Sequence, residues 1–285
     1  MPKVPMSEER KLFNSLKRLF GKLINNIKEG LIKKEDIQDE ARNFLESTEV
    51  DSYLKNLVSR MTARIRIDTA RDLKQQAIKQ HNGPAIAEAL KHEMDGPVGR
   101  RVWEIIADNV QYIKTVPQEW ATYISQYAAR EALKGKRPEV VEAELRKILP
   151  EHITKNLKCI ARTECSKANA AICQARAEAC GIRCYIWRCV GDERTRESHY
   201  KMDGILVFYD DPPSPEALFP YKVSKNSYVK PYGRYHAGNT FNCRCYQEAV
   251  VDIQFLPDTF RYYRDGAIHD TTKAAFIKKF GNIAA

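Results

Sequence analysis

The stretch ITKNLKCIARTECSKANAAICQARAEACGIRCYIWRCV, residues 153–190, changes period part-way along. Up to Ala179 it is rich in alanine and free of proline and glycine, the composition of a long helix, and Gly181 marks its end. From Arg183 the residues alternate and become aromatic, which is the pattern of a strand. The switch divides the chain into a helical part before it and a small mixed part around residues 181–255.

The upstream half carries helical periodicity throughout. In residues 7–30, Leu12, Phe13, Leu16, Leu19, Phe20, Leu23, Ile24 and Ile27 recur every three or four positions. Ser7 can cap this helix, Glu8 and Glu9 suit its first turn, and Gly30 suits its stop. A second run covers about 34–80, with a turn at HNGP from His81. Further helices are expected over 84–94, 98–113 and 118–135, the last after Pro117. A short one is expected between Pro138 and Pro150.

Downstream, ILVFYDD reads as a second strand launched by the Asp203-Gly204 turn, and CRCYQEAVVDI as a third. Between them DPPSPEALFPYKVSKNSYVKPYG is a long proline-rich connection. Beyond Asp252 the chain is polar, with a short helix near TTKAAFIKKF. The expected fold class is α+β: a mostly helical N-terminal part, then a long helix and a small mixed domain with a short β-sheet. Domain limits are expected at 1–150, 151–255 and 256–285.

With 43% hydrophobic and 29% charged residues in 285, the chain has the composition of a globular protein rather than a disordered one. No apolar run approaches the roughly 20 residues of a membrane helix, so no membrane partner is expected. The opening MPKVPMSEER lacks the apolar core of a signal peptide, which predicts action in a cytoplasm. A net charge of +10 favours an acidic partner. Residues 1–34 hold nine Lys or Arg against three Glu, and Lys11, Lys17, Arg18, Lys22 and Lys28 offer a basic surface for phosphates. A solvated helix face explains the same residues. All eight cysteines fall in the second half. Without a signal peptide, metal ligation or burial of thiols is favoured over disulfides.

Two stretches concentrate chemistry: GDERTRESHYKMDG at 191–204 and FNCRC at 241–245. His199, His236, Cys243 and Cys245 are donor types that zinc accepts. The pair Cys243 and Cys245 lacks the doubled knuckle of a structural zinc site, so packing within a turn-and-strand core is the favoured alternative. Asp192, Glu193, Arg194 and Arg196 suit bidentate pairing that fixes a loop. Glu193 and His199 offer an acid and a base on paper. The chain lacks a recognisable nucleophile motif, a Gly-rich phosphate loop and a His-Glu-x-x-His helix, and the expectation is that it is not an enzyme. On the long helix, Cys165, Cys173 and Cys180 fall along one stripe, expected to bury against the mixed domain. Arg162 and Glu164 could anchor that domain from the helix.

Taken in order, IARTECSKANAA at 160–171, CGI followed by Trp187, DERTRESH at 192–199, MDG at 202–204, DDPP at 210–213 and NCRC at 242–245 form a familiar set. Residues 159–250 resemble the head morphogenesis domain of phage Mu F-like minor head proteins of tailed phages. The resemblance implies a structural minor capsid protein in the virion, and in the host cytoplasm during assembly. It would act near the portal in head assembly and DNA packaging. It implies portal protein, major capsid protein or both as partners, with phage double-stranded DNA as a further one. The structural network expected to hold this domain comprises Arg162, Glu164, Asp192, Glu193, Arg194, Arg196, His199, Asp203, Gly204, Asn242 and Arg244. Some relatives carry two cysteines in the DERT segment, where this chain has Arg196 and His199. The cysteine-rich helix is a departure from the usual pattern. Some relatives are fused to toxin or transferase domains, for which the 35 residues after Val250 are expected to leave no room. The rival reading is a metal-dependent hydrolase acting on nucleic acid or cell wall, or a toxin-like effector, built on Glu193, His199, His236 and Cys243.

Overall fold

In the computed structural model, which describes residues 5–33, 37–224 and 227–281, the chain begins with α1 (Met6–Lys33), α2 (Ile37–Glu46) and α3 (Thr48–Lys79). There follow α4 (Gly83–Ala89), α5 (Pro97–Leu133) and α6 (Pro138–Ala179). The mixed part then holds β1 (Cys184–Arg188), α7 (Glu197–Met202), β2 (Leu206–Phe208) and α8 (Pro215–Leu218). It continues with β3 (Lys222–Ser224), β4 (Ser227–Tyr228), β5 (Tyr246–Ala249), β6 (Thr259–Arg264), β7 (Ala267–Thr272) and α9 (Lys273–Phe280). The α+β class, with a largely helical first part and a small sheet after it, is as the sequence predicts. Among the described residues no helix is long and apolar enough to cross a membrane.

The chain forms two compact units. One comprises residues 7–62 and 104–161 and is helical. Its core takes Leu12, Leu16, Phe20 and Leu23 from the apolar stripe of α1, and the Phe20 ring meets Trp120 edge-on at 5.3 Å. Lys11, Lys17 and Arg18 are exposed on α1, and Lys11 pairs with Glu8; the side chains of Lys22, Ile24, Ile27 and Lys28 lie outside the described residues.

Two helix breaks expected from sequence do not occur. Pro117 lies inside α5 and Pro150 inside α6. Each removes one backbone donor at a cost of about 3 kcal/mol. Apolar side chains are buried on both sides of each proline: Val116 and Trp120 in α5, Leu149 and Ile153 in α6. That burial, at about 1.5–3 kcal/mol per large side chain, offsets the lost hydrogen bond.

The other unit, residues 1–6, 63–103 and 162–285, contains the sheets. Its main sheet has the order β5-β1-β2-β6-β7. Strand β1 runs antiparallel to β2 and β5, with Tyr185 opposite Val207 and Ala249; β2 runs parallel to β6. Alternation divides the side chains between two cores. Tyr185, Trp187, Val207 and Tyr263 face a cluster that includes Leu73, Ile86 and Ala177 from α3, α4 and α6. Cys184, Leu206, Phe208 and Tyr262 face the other way, toward Ile253, Leu256 and Phe276 of α9. Both faces are covered, which is why β2 is apolar at every position.

Two predicted features need correction. The segment after Asp252 is not merely polar, because β6 and β7 form a hairpin there. Its turn places Asp265 and Gly266 at φ 54° and 83°, the left-handed pair that a two-residue hairpin requires. The expected third strand is short, and Cys243 and Cys245 lie in the irregular approach to β5 rather than within it.

One buried ion cluster joins α3, the 93–95 turn and α6 within this unit. Arg176, 1% exposed, donates from Nε to Glu93 Oε2 at 2.7 Å and from Nη2 to Glu93 Oε1 at 3.1 Å. It also donates to Thr69 Oγ1 at 2.6 Å and to the Arg66 carbonyl at 3.1 Å, while Arg66 adds a second guanidinium on Glu93 at 2.7 Å. Burial opposes ionisation of Glu93, but the hydrogen bonds and charges of Arg176 and Arg66 outweigh it and hold its carboxyl below the usual range. Removing one partner of such a group strands buried charge. Arg176→Met is expected to cost about 3 kcal/mol, the low end for a broken buried pair because Arg66 still serves Glu93. Urea unfolding of the variant and the parent measures the difference.

Candidate metal centre

Three elements bring the chemistry together. Helix α7 carries Ser198 and His199 on its buried side, and it packs on α8, which carries Glu216. The turn at 240–245 supplies Cys243 and Cys245. At the end of α7, Met202 to Ile205 form a type II turn: Asp203 sits at φ −57°, ψ 133°, Gly204 at φ 78°, and the Ile205 amide donates to the Met202 carbonyl at 3.1 Å. Asp203 Oδ1 accepts from the Cys189 amide at 2.8 Å, tying the turn to the end of β1. Gly238 is needed for close approach, since a Cβ there would lie 2.8 Å from the Cys245 carbonyl oxygen.

His199 is the centre of the arrangement and is 2% exposed. Its Nε2 lies 2.9 Å from Tyr235 Oη and 3.3 Å from Glu216 Oε1. Tyr235 Oη donates to the Glu216 carboxylate, at 2.7 Å from Oε1 and 2.8 Å from Oε2. Ser198 Oγ donates to the same carboxylate at 3.3 Å. On the opposite edge of the ring, Nδ1 lies 3.5 Å from Cys243 Sγ and 3.4 Å from Cys245 Sγ. Trp187 meets the ring edge-on at 5.6 Å.

The charges follow from this packing. Burial lowers the His199 pKa, but its hydrogen bonds to Cys243 and Glu216 outweigh it and the net direction is up. Burial raises the Glu216 pKa, and His199 and Tyr235 bring it below the usual carboxylate value. The two thiols move in opposite directions: hydrogen bonding from Cys245, and after it His199, drives Cys243 toward thiolate against the effect of burial, and the hydrogen bond to Cys243 together with burial pushes Cys245 up.

His199, Cys243 and Cys245 are all buried, and one donor atom from each lies within 4.8 Å of the others. A tetrahedral zinc with Zn–S of about 2.3 Å and Zn–N of about 2.05 Å sets its N and S ligands about 3.5 Å apart. The two observed N···S separations match that edge. With Nε2 facing Glu216, the imidazole presents Nδ1 to the cysteines, the orientation that a carboxylate behind a metal-bound histidine enforces. The expectation that the chain is not an enzyme is corrected here. A buried His/Cys/Cys cluster able to coordinate a metal ion is a site suited to metal binding or catalysis, and its three residues are among the four zinc-donor candidates of the sequence.

His236 lies outside this set. Its Nδ1 is 3.2 Å from Tyr185 Oη, and burial lowers its pKa to about 4, so it is neutral. Around the cluster, Arg244 pairs with Asp192, whose oxygen also accepts from the Arg194 amide and from Thr195 Oγ1, each at 3.2 Å. Arg196 donates to the Phe241 carbonyl at 2.7 Å and lies over the Tyr232 ring. Glu193 is exposed and forms no ion pair among the described residues. Asn242 takes the left-handed conformation at φ 52°; its amide donates to Thr163 Oγ1, and its Oδ1 accepts from Arg162 Nη1, each at 2.9 Å. Glu164 is buried on α6, with Lys167 at 3.7 Å. All eight cysteines are thiols; Cys165 is buried, Cys173 and Cys180 are half-buried, and burial raises Cys173 to about 11. Glu216, Tyr235 and Ser198 are functional residues that the sequence does not single out, since no local pattern marks Glu216 within a proline-rich connection, Tyr235 just beyond it or Ser198 beside His199.

Against known proteins, residues 123–248 match the family described as Phage Mu protein F like protein. The matched span contains His199, Glu216, Cys243 and Cys245. An uncharacterized protein of Haemophilus influenzae is 28% identical over 206 residues, covering 72% of this chain and 40% of the relative. The chain thus spans about two fifths of the length of that relative. No solved structure matches. The family match supports a head-morphogenesis-type role in general terms.

The Asp192 brace has a defined pH dependence. Arg244, followed by smaller contributions from Thr195 and the Arg194 amide, depresses the Asp192 carboxyl well below its ordinary range. A depressed carboxylate contributes stability above its unfolded pKa and loses it as pH falls through the folded one. The loop therefore stays braced through the ordinary carboxylate range and opens only in stronger acid. At neutral pH, Asp192→Asn is expected to speed tryptic cleavage after Arg194 several-fold; unchanged cleavage would remove the brace from the account.

Proposed function

We propose that this chain is a minor capsid protein of a tailed phage or prophage, acting at or near the portal in head assembly and DNA packaging. Its partners are the portal protein, the major capsid protein or both. It resides in the virion, and in the host cytoplasm while heads assemble. The observation that carries this reading is the family match over 123–248, which spans the buried cluster and the α6 residues that hold Asn242. In this reading zinc, held by His199, Cys243 and Cys245, braces the mixed unit for attachment. Lys11, Lys17 and Arg18 on α1 face phage double-stranded DNA.

Co-expression with the portal and major capsid proteins of the same phage tests the assignment. A few copies of the chain are expected in purified heads, with a fall in packaged DNA when it is left out. Heads that exclude the chain and package normally without it would overturn the reading. Elemental analysis is expected to find about one zinc per chain, lost in Cys243→Ser. Glu216→Gln is expected to weaken zinc binding about 10–100-fold, the usual effect of losing the partner behind a ligand. Duplex DNA binding is expected at low salt and to weaken as salt rises; no binding at low salt would remove DNA from the partners.

The cluster also favours a second reading, a metal-dependent hydrolase or toxin-like effector built on His199, Cys243 and Cys245. Nuclease or cell-wall hydrolysis by the zinc-loaded chain, abolished in Cys243→Ser, would select it. Neither activity in the parent would reject it.

A further inference from the structure

The His199, Cys243 and Cys245 donors account for three positions of a tetrahedral ion, and among the described residues no fourth His, Cys, Asp or Glu joins them. Cys189 is half-buried and near enough to influence Cys245, but it stands outside the set. The three ligands themselves line a small cavity of about 20 Å³, and the rest of its wall includes Arg194, Arg196 and Arg244. That volume holds about one water-sized oxygen. No carboxylate lines it.

The guanidiniums differ in what neutralises them. Arg244 is paired with Asp192, and the largely exposed Arg194 lies 3.5 Å from the same residue. Arg196 donates to a carbonyl and stacks on Tyr232, with no carboxylate partner among the described residues. Its positive charge is left over at the cavity wall. Two thiolates neutralise a divalent ion and a neutral imidazole adds nothing, so an anionic fourth ligand would leave the centre at −1. Arg196 is placed to balance that charge.

Resting on the zinc reading above, we infer that the centre keeps its fourth position open to this cavity and that the position takes one oxygen of a small oxyanion. The body of the anion, too large for a volume of about 20 Å³, extends beyond the cavity. A ligand set of three protein donors with one exchangeable position is the arrangement of reactive zinc sites, whereas purely structural sites are closed by four. The oxyanion class includes phosphate groups, which guanidiniums bind by charge-assisted hydrogen bonds.

Cobalt(II) in place of zinc makes the coordination visible. The full chain is loaded with Co²⁺ and titrated with inorganic phosphate while its visible spectrum is recorded. The expected result is a thiolate-to-cobalt band, with ligand-field bands that shift saturably with phosphate. In Arg196→Gln the apparent Kd for phosphate is expected to rise about tenfold or more, as loss of one charge-assisted hydrogen bond implies, with Arg196→Lys between the two. A thiolate–cobalt spectrum indifferent to phosphate would overturn the open position while leaving the metal site intact. So would collapse of the four-coordinate spectrum in Cys189→Ser, which would make Cys189 the fourth ligand. Absence of any thiolate–cobalt band would overturn the zinc reading, and this inference with it.

Discussion

The orientation of one buried imidazole governs the mixed unit. His199 has an acid and a phenol at one edge and two sulfurs at the other, and its ring can satisfy both only in the pose observed. A buried polar group without partners would cost about 1–3 kcal/mol, more if charged. Helices α7 and α8 and the 240–245 turn must therefore close around it together. Much of the local backbone serves that closure: Gly204 permits the turn out of α7, Asn242 takes a left-handed pose pinned by Arg162 and Thr163, and Gly238 lets the cysteine segment pass close by.

The sheet supplies the rigid wall. Trp187 on β1 meets His199 edge-on, and strict alternation sends its neighbours Ile186 and Arg188 to the opposite side. The sheet is covered on both faces, so the histidine lies against a packed core rather than a mobile loop. This is the support that a metal ligand needs if its donor atoms are to stay within a few tenths of an ångström of a tetrahedral edge.

Signals confined to a single element are plain in the sequence. The stripe of α1, the alternation of β1 and the Asp203-Gly204 turn were legible because each is a periodicity or a turn residue within a few positions. The charged loop and FNCRC meet through the Arg244–Asp192 pair and the hydrogen bond from Arg196 to the Phe241 carbonyl. What was not legible depends on distance in sequence. Glu216 reaches His199 from a proline-rich connection, and Glu93 reaches Arg176 from 83 residues away. Pro117 and Pro150 read as breaks because their flanking residues pack only in the folded unit. Asp265-Gly266 marks the turn of the β6–β7 hairpin, but its strands carry too many charged and polar residues to stand out from a tail.

Hydrogen bonds between packed thiols and the imidazole span the observed 3.4 and 3.5 Å, and the same separations match the N···S edge of a tetrahedral zinc site. What favours a metal is the conjunction of that edge with a carboxylate at the other ring nitrogen. X-ray absorption at the zinc edge of the loaded chain tests this most directly. The account predicts two sulfurs at about 2.3 Å with imidazole nitrogen at about 2.0–2.1 Å. A first shell of oxygen and nitrogen alone would contradict it.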